Sequence, residues 1–131
     1  NAWEIPKSTT FISGLQVPNV RDGNEVMRMC KATNGTGYTV TDQLIYQCQE
    51  DLAKEEGIFC EPAGAVALAG VKLALENQEI NKKDHIVCLI TGHGFKDPVS
   101  AVIIAASSAD HYFSDSKECF NHINFQVNSI L

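Results

Sequence analysis

The chain is short of positive charge, of long apolar runs and of paired cysteines. Ten Lys and Arg stand against sixteen Asp and Glu, a formal net charge of -6. Binding to phosphate backbones needs a basic footprint, so nucleic acid is excluded as the main partner. No apolar run approaches the roughly 18 residues that span a bilayer, which excludes an ordinary transmembrane helix and with it a membrane partner. Residues 1–10 lack a basic flank followed by an apolar stretch, so no secretory signal is read there. Asn1-Ala2 is expected to be a vector remnant. The five cysteines (Cys30, Cys48, Cys60, Cys88 and Cys119) form no C-x-x-C pair. His85, His93, His111 and His122 do not join them at zinc-ligand spacing, so no metal site is expected. The thiols are read as reduced and structural, in a cytoplasmic protein. Both the G-x-x-x-x-G-K of a phosphate loop and the G-x-G-x-x-G of a dinucleotide site are missing.

What is present is globular: 44% hydrophobic and 20% charged residues in a chain of 131. That length suits one domain, yet it is short for a metabolic enzyme on an open α/β sheet. Trp3 to Val20 reads as irregular. Asp22 with Glu25 three residues on predicts a capped helix start, running until Asn34-Gly35. Gly37-Tyr38-Thr39-Val40 reads as a short strand. Thr41 is a good N-cap for a helix carrying Leu44, Ile45, Cys48 and Leu52 at helical spacing, closed by Gly57. Pro62 suits the first turn of the next helix, which runs to about Leu75 and is apolar nearly all round, a pattern of burial on more than one side. Ile86 to Ile90 is continuously apolar, typical of a strand covered on both faces. Val99 to Ala106 fits helix or strand, and Ser116 to Ile123 a last short helix. This order predicts an α/β fold with a partial, mainly parallel sheet and flanking helices. Residues 1–131 form a single segment, with 107–131 as a C-terminal tail.

Ligands of such sheets bind beyond the carboxyl ends of strands, where Thr91-Gly92-His93-Gly94 stands. As a bare motif it reads either as a ligand turn or as a plain strand-to-loop turn. Asn34-Gly35-Thr36-Gly37 precedes a strand and reads as a connection. Glu61, in an apolar stretch, is either a helix N-terminal acid stabilised by the dipole or an acid facing a ligand. His93 has a pKa suited to a general base but no visible partner. Lys96 reads as an exposed loop residue beside Asp97.

Two stretches together resemble the C-terminal part of the threonine synthase family. They are Gly57-Ile58-Phe59-Cys60-Glu61-Pro62-Ala63-Gly64-Ala65-Val66-Ala67-Leu68-Ala69-Gly70 and Val87-Cys88-Leu89-Ile90-Thr91-Gly92-His93-Gly94-Phe95-Lys96-Asp97-Pro98. Thr10 to Pro18 and Val40-Thr41-Asp42 fit the same pattern, so the resemblance covers about residues 6–105. The wider group is the fold type II pyridoxal-phosphate enzymes, related to the tryptophan synthase β chain and threonine dehydratase. The resemblance implies pyridoxal 5'-phosphate as cofactor, with Thr91 bonded to its pyridine nitrogen and Glu61 and Gly92 lining the same edge. It implies a parent enzyme that converts O-phospho-L-homoserine and water to L-threonine and phosphate, a carbon-oxygen lyase.

The family's Schiff-base lysine, its substrate-carboxylate ligands and its phosphate-binding glycine loop belong to the preceding part of the family's chain. None is matched here, so this chain is expected to be inactive and not to hold the cofactor by itself. Its expected partners are that N-terminal portion and, through the poorly covered Ala63–Leu75 surface, a second copy. Two other readings stay open. One is a segment of a threonine or serine dehydratase or a cysteate synthase relative. The other is a stand-alone, non-catalytic α/β binding module.

Overall fold

The computed structural model describes residues 7–108 and 110–130. They contain five α-helices: α1 Gly23–Ala32, α2 Asp42–Glu56, α3 Pro62–Glu76, α4 Pro98–Ser108 and α5 Ser116–Ile130. Short 3-10 turns lie at Ser13–Leu15 and Gly94–Lys96. The chain divides into two compact units, Asn1–Ala101 and Val102–Leu131.

In the first unit, α2 and α3 form the centre, and local signals fix their ends. The Thr41 hydroxyl accepts from Leu44 N–H at 3.2 Å, satisfying one of the donors a helix start leaves free. Gly57 adopts the left-handed conformation (φ 66°) and lets Ile58 N–H close on the Leu52 carbonyl at 2.9 Å. Pro62 opens α3 where no amide proton is needed. Ile45, Cys48 and Leu52 project from one face of α2 onto Ala65 and Ala69 of α3, with Cys60 and Ile12 completing the core. The alanines leave room for close approach, so each buried aliphatic side chain of α2 contributes roughly 1.5–3 kcal/mol. Ile12 is drawn in because the Asp42 carboxylate accepts from Thr10 Oγ1 at 2.6 Å and from Phe11 N–H at 2.7 Å. Buried Gln49 donates to the Cys60 carbonyl at 2.8 Å, tying α2 to the turn that precedes α3.

Three expectations meet a different structure. Asp22 stands at the start of α1 but makes no side-chain cap: its backbone (φ -99°, ψ 12°) is not in the extended conformation of a capping residue, and the Glu25 carboxylate is held by Arg28 Nε at 2.9 Å. α3 is apolar all round, yet only Pro62, Gly64, Ala65, Ala69 and Ala74 are buried. Among the described residues there is no strand, and pairing is limited to one isolated antiparallel bridge, Cys60 to His93. The run 86–90 carries neither helix nor ladder, and Val87 and Leu89 are 95% and 77% exposed. A strand exists only against a partner, and none among the described residues reaches this one. The ambiguous run from Val99 is helical: Ser100 N–H bonds Asp97 Oδ1 at 3.2 Å, and Pro98 fills the first helical position.

In the second unit, α5 begins with a reciprocal cap. Asp115 Oδ1 accepts from Glu118 N–H at 2.8 Å, and the Glu118 carboxylate accepts from Ser114 N–H at 2.7 Å. His122 of α5 meets His111 and Phe113, with the two imidazoles 4.4 Å apart.

One ion pair links the two central helices, Lys72 Nζ to Asp51 Oδ2 at 2.6 Å. The hydrogen bond from Lys72, helped by one from Gln47, holds the Asp51 carboxyl below its ordinary value. A depressed carboxyl contributes stability above the ordinary carboxylate range and loses it as pH falls through the folded value. Both side chains are partly exposed, so the contribution is at most about 1 kcal/mol. The unfolding free energies of wild type and Asp51→Asn should therefore differ near neutrality and converge in acid. A gap that does not change with pH would show that the pair is not the source.

Candidate functional site

The site grows out of the turn between α2 and α3. Gly57 releases the chain into Phe59-Cys60-Glu61, which meets Gly92-His93-Gly94 backbone to backbone. Glu61 N–H donates to the Gly92 carbonyl at 3.2 Å, and Gly94 N–H donates to the Phe59 carbonyl at 3.1 Å. Two glycines permit the approach. A side chain on Gly64 would run into the Thr91 carbonyl, and one on Gly92 (φ 72°) would run into the Glu61 carboxyl. The glutamate-proline-x-glycine segment and the threonine-glycine turn, far apart in sequence, thus form one surface. Thr91, Gly92 and Glu61, the three residues singled out from sequence, stand together on it.

Their side chains are differently occupied. Thr91 is exposed, and its hydroxyl has no hydrogen-bond partner among the described residues. Glu61 sits at the N-cap position of α3 but makes no side-chain cap. Its carboxylate instead takes Lys96 Nζ at 3.0 Å; Glu61 is only 16% exposed, Lys96 64%. The dipole reading of Glu61 therefore accounts for its position and not for its side-chain contact. Lys96 passes over Asp97, whose carboxylate is engaged by Ser100 N–H at 3.2 Å. The sequence reading missed this pairing. The one available signal was a pair of opposite charges, each set in a stretch of apolar and glycine residues.

His93 belongs to the packing of the turn. Its Nδ1 accepts from Phe95 N–H at 3.3 Å, its ring stacks on Phe95 at 5.1 Å, and Phe59 meets both rings edge-on. No acidic group bonds to it among the described residues, so nothing there orients it as a base. All five cysteines are free, and burial raises the thiol pKa of Cys48 and Cys60, which disfavours the reactive thiolate. Among the described residues no group of three His, Cys, Asp or Glu could hold a metal ion. The surface thus offers an open hydroxyl, bare backbone and a charge-balanced acid. Such a set can hold the polar edge of a flat ligand, but it contains no activated nucleophile. A separate cavity of about 390 Å³ lies against α3, lined by Tyr38, Val40, Val66, Gly70, Val71 and Ile86 among others.

The family described as pyridoxal-phosphate dependent enzyme matches residues 1–92. Over 93 residues the chain is 38% identical to a threonine synthase of Methanocaldococcus jannaschii, covering 71% of this chain and 23% of that protein. It is 32% identical over 93 residues to a threonine synthase of Methanosarcina acetivorans, with the same coverage of 71% and 23%. Over 119 residues, 91% of this chain and 34% of the relative, it is 28% identical to a threonine synthase of a Bacillus species. The chain therefore spans about a quarter to a third of the length of these relatives.

The contact of Gly64 with the Thr91 carbonyl predicts that Gly64→Ala displaces the turn. Overpacking of this kind costs roughly 1–3 kcal/mol. Chemical denaturation should show that loss, and an unchanged midpoint would mean the two segments do not meet as described.

Proposed function

Since the chain belongs to the family of pyridoxal-phosphate dependent enzymes, we propose that it forms the pyridine-nitrogen edge of the cofactor site of a threonine synthase-like lyase. The observation that carries this reading is the junction of Thr91 and Gly92 with Glu61, built by two backbone hydrogen bonds and two side-chain-free glycines. An exposed hydroxyl without a partner fits a heterocyclic nitrogen, and the missing side chain at Gly92 lets the Glu61 carboxyl lie against the same turn. When bound, pyridoxal phosphate supplies an electron sink for chemistry at the amino-acid carbon.

The chain's own residues orient and tune. Thr91 Oγ1 would bond the ring nitrogen as a neutral partner, without the pull of a carboxylate toward a protonated ring. Gly92 and Glu61 would line the same edge, with the Glu61 charge balanced by Lys96. Because Lys96 is engaged by Glu61, it is not read as the lysine that carries the cofactor. That lysine and the ligands of the substrate's phosphate and carboxylate come from the N-terminal portion of the same enzyme, and this chain is inactive without them. The reaction is conversion of O-phospho-L-homoserine and water to L-threonine and phosphate.

The same partner portion explains the missing sheet. Residues 37–40 and 86–90 take their places in a parallel sheet when neighbouring strands of that portion pair with them, with 107–131 as a tail. The exposed Val87 and Leu89 and the apolar cavity beside α3 support this. No helix among the described residues is long and apolar enough to cross a membrane; the cytoplasmic location we propose rests instead on the likeness to threonine synthases. A stand-alone binding module is the competing reading, favoured by the first unit having a buried core of its own.

A chimera in which residues 1–92 replace the matching segment of the M. jannaschii threonine synthase should release phosphate from O-phosphohomoserine. Thr91→Ala in that chimera should shift the cofactor's visible absorption. It should also lower the rate roughly tenfold, the equivalent of one hydrogen bond. A chimera that binds cofactor without turning over this substrate would reject the substrate reading, and an unchanged spectrum and rate would reject the role of Thr91. The isolated chain, treated with pyridoxal phosphate and then borohydride, should show no preferred lysine. Dominant labelling of Lys96 would overturn the assignment of the cofactor lysine to the other portion.

A further inference from the structure

The Glu61 carboxylate has two places to go. Glu61 occupies the N-cap position of α3, where Pro62 has no amide proton and Ala63 N–H receives no side-chain cap from Glu61. A free donor and the positive end of a helix both attract a carboxylate. The structure nevertheless has the carboxylate over Gly92, 3.0 Å from Lys96 Nζ. What holds Lys96 there is also visible. The Gly94–Lys96 turn is closed by Lys96 N–H on the His93 carbonyl at 3.0 Å and by Asp97 N–H on the Gly94 carbonyl at 3.1 Å. Asp97, the acid next to Lys96, has its carboxylate turned to Ser100 at the start of α4. The ammonium is left to Glu61.

We propose that Lys96 is a positioning residue. Its ion pair draws the Glu61 carboxylate off the α3 N-terminus and fixes it over Gly92, at the edge bearing the Thr91 hydroxyl. An exposed lysine adds little to stability through such a pair, but it selects one of two side-chain positions. The significance of the placement rests on the cofactor-edge reading. There an ammonium beside Glu61 offsets a charge that would otherwise draw a proton to a ring held by a neutral hydroxyl.

The test needs no cofactor. In two-dimensional amide NMR spectra of the whole chain, Lys96→Met should move the Ala63 resonance downfield, as it gains a carboxylate acceptor. The Gly92 resonance should move as the carboxylate leaves. The amides of Ile45 and Ala69 in the core should stay in place, which reports that the fold is intact. Lys96→Arg should return Ala63 and Gly92 to their wild-type positions. Combining Glu61→Gln with Lys96→Met should abolish the downfield shift of Ala63. Wild-type positions of both amides in Lys96→Met, or no recovery in Lys96→Arg, would overturn the proposal. Titration with 4'-deoxypyridoxine 5'-phosphate, which has no aldehyde to react with lysines, gives the separate readout. Amide shifts at Thr91 and Gly92 on its addition to the chimera support the edge. Their absence rejects the cofactor-edge reading and leaves the positioning result standing.

Discussion

Everything at the site depends on how closely the start of α3 approaches the Thr91–Gly92 turn. Two backbone hydrogen bonds, Glu61 N–H to the Gly92 carbonyl and Gly94 N–H to the Phe59 carbonyl, set the distance between the segments. The approach is so tight that a methyl group on Gly64 would meet the Thr91 carbonyl. Protein interiors tolerate one extra methylene poorly at such contacts, so the glycines are steric requirements before they are functional ones. Pro62 then starts the helix without offering an amide to compete for the same carbonyls. Gln49, buried in α2, fixes the Cys60 carbonyl from behind. The core of α2 and α3 is thereby coupled to the surface that carries Thr91.

That coupling is one-sided. α3 covers α2 with Ala65 and Ala69, while Val66 and Leu68 at the border of the core, and Ala67 and Val71, are only half-buried. Val87 and Leu89 stand almost free in water, although alternate apolar residues of that run would each gain from burial. Apolar surface gathered in this way marks a place where something else packs. Under the proposed reading it is the sheet of the remaining enzyme, which would cover α3 and pair residues 86–90 in a single step. The clasp at Gly92 and the uncovered run before it then have different origins: the clasp is complete within this chain, and the strand is not.

The legible parts of the sequence were those decided locally. Thr41, Gly57 and Pro62 mark helix ends because the donors and conformations they supply belong to their own turn. Leu44, Ile45, Cys48 and Leu52 announced the α2 face because helical spacing needs no partner to be read. Asp22 failed as half of a capping box because its backbone is not extended, and the other half failed because Arg28 takes the Glu25 carboxylate. The strand expected at 86–90 is non-local by nature, since its hydrogen bonds must come from elsewhere in the fold. Glu61 and Lys96 lie 35 residues apart, and Lys96 has Asp97 beside it in sequence. Nothing short of the folded turn shows that Asp97 is occupied by the start of α4. Thr91, Glu61 and Gly92 were grouped by resemblance to a family, and the geometric reason for the grouping, Gly64 against the Thr91 carbonyl, is invisible in the sequence.

The charge balance at this edge argues for a holding role. An ionised carboxylate that is mostly covered needs compensation, and Lys96 supplies it from the solvent side. With that pair satisfied, the polar group left open at the edge is the Thr91 hydroxyl, which at neutral pH neither takes nor gives up a proton readily. His93, the residue of the turn best suited to proton transfer, has Nδ1 bonded to a backbone amide and its ring stacked on Phe95. Under the proposed reading such a surface would hold the ring and set its electronic character, with the bond-making groups supplied by the other portion of the enzyme. On that reading the division would keep the edge on α3 and its clasp, whose charges are already satisfied, free of proton transfer.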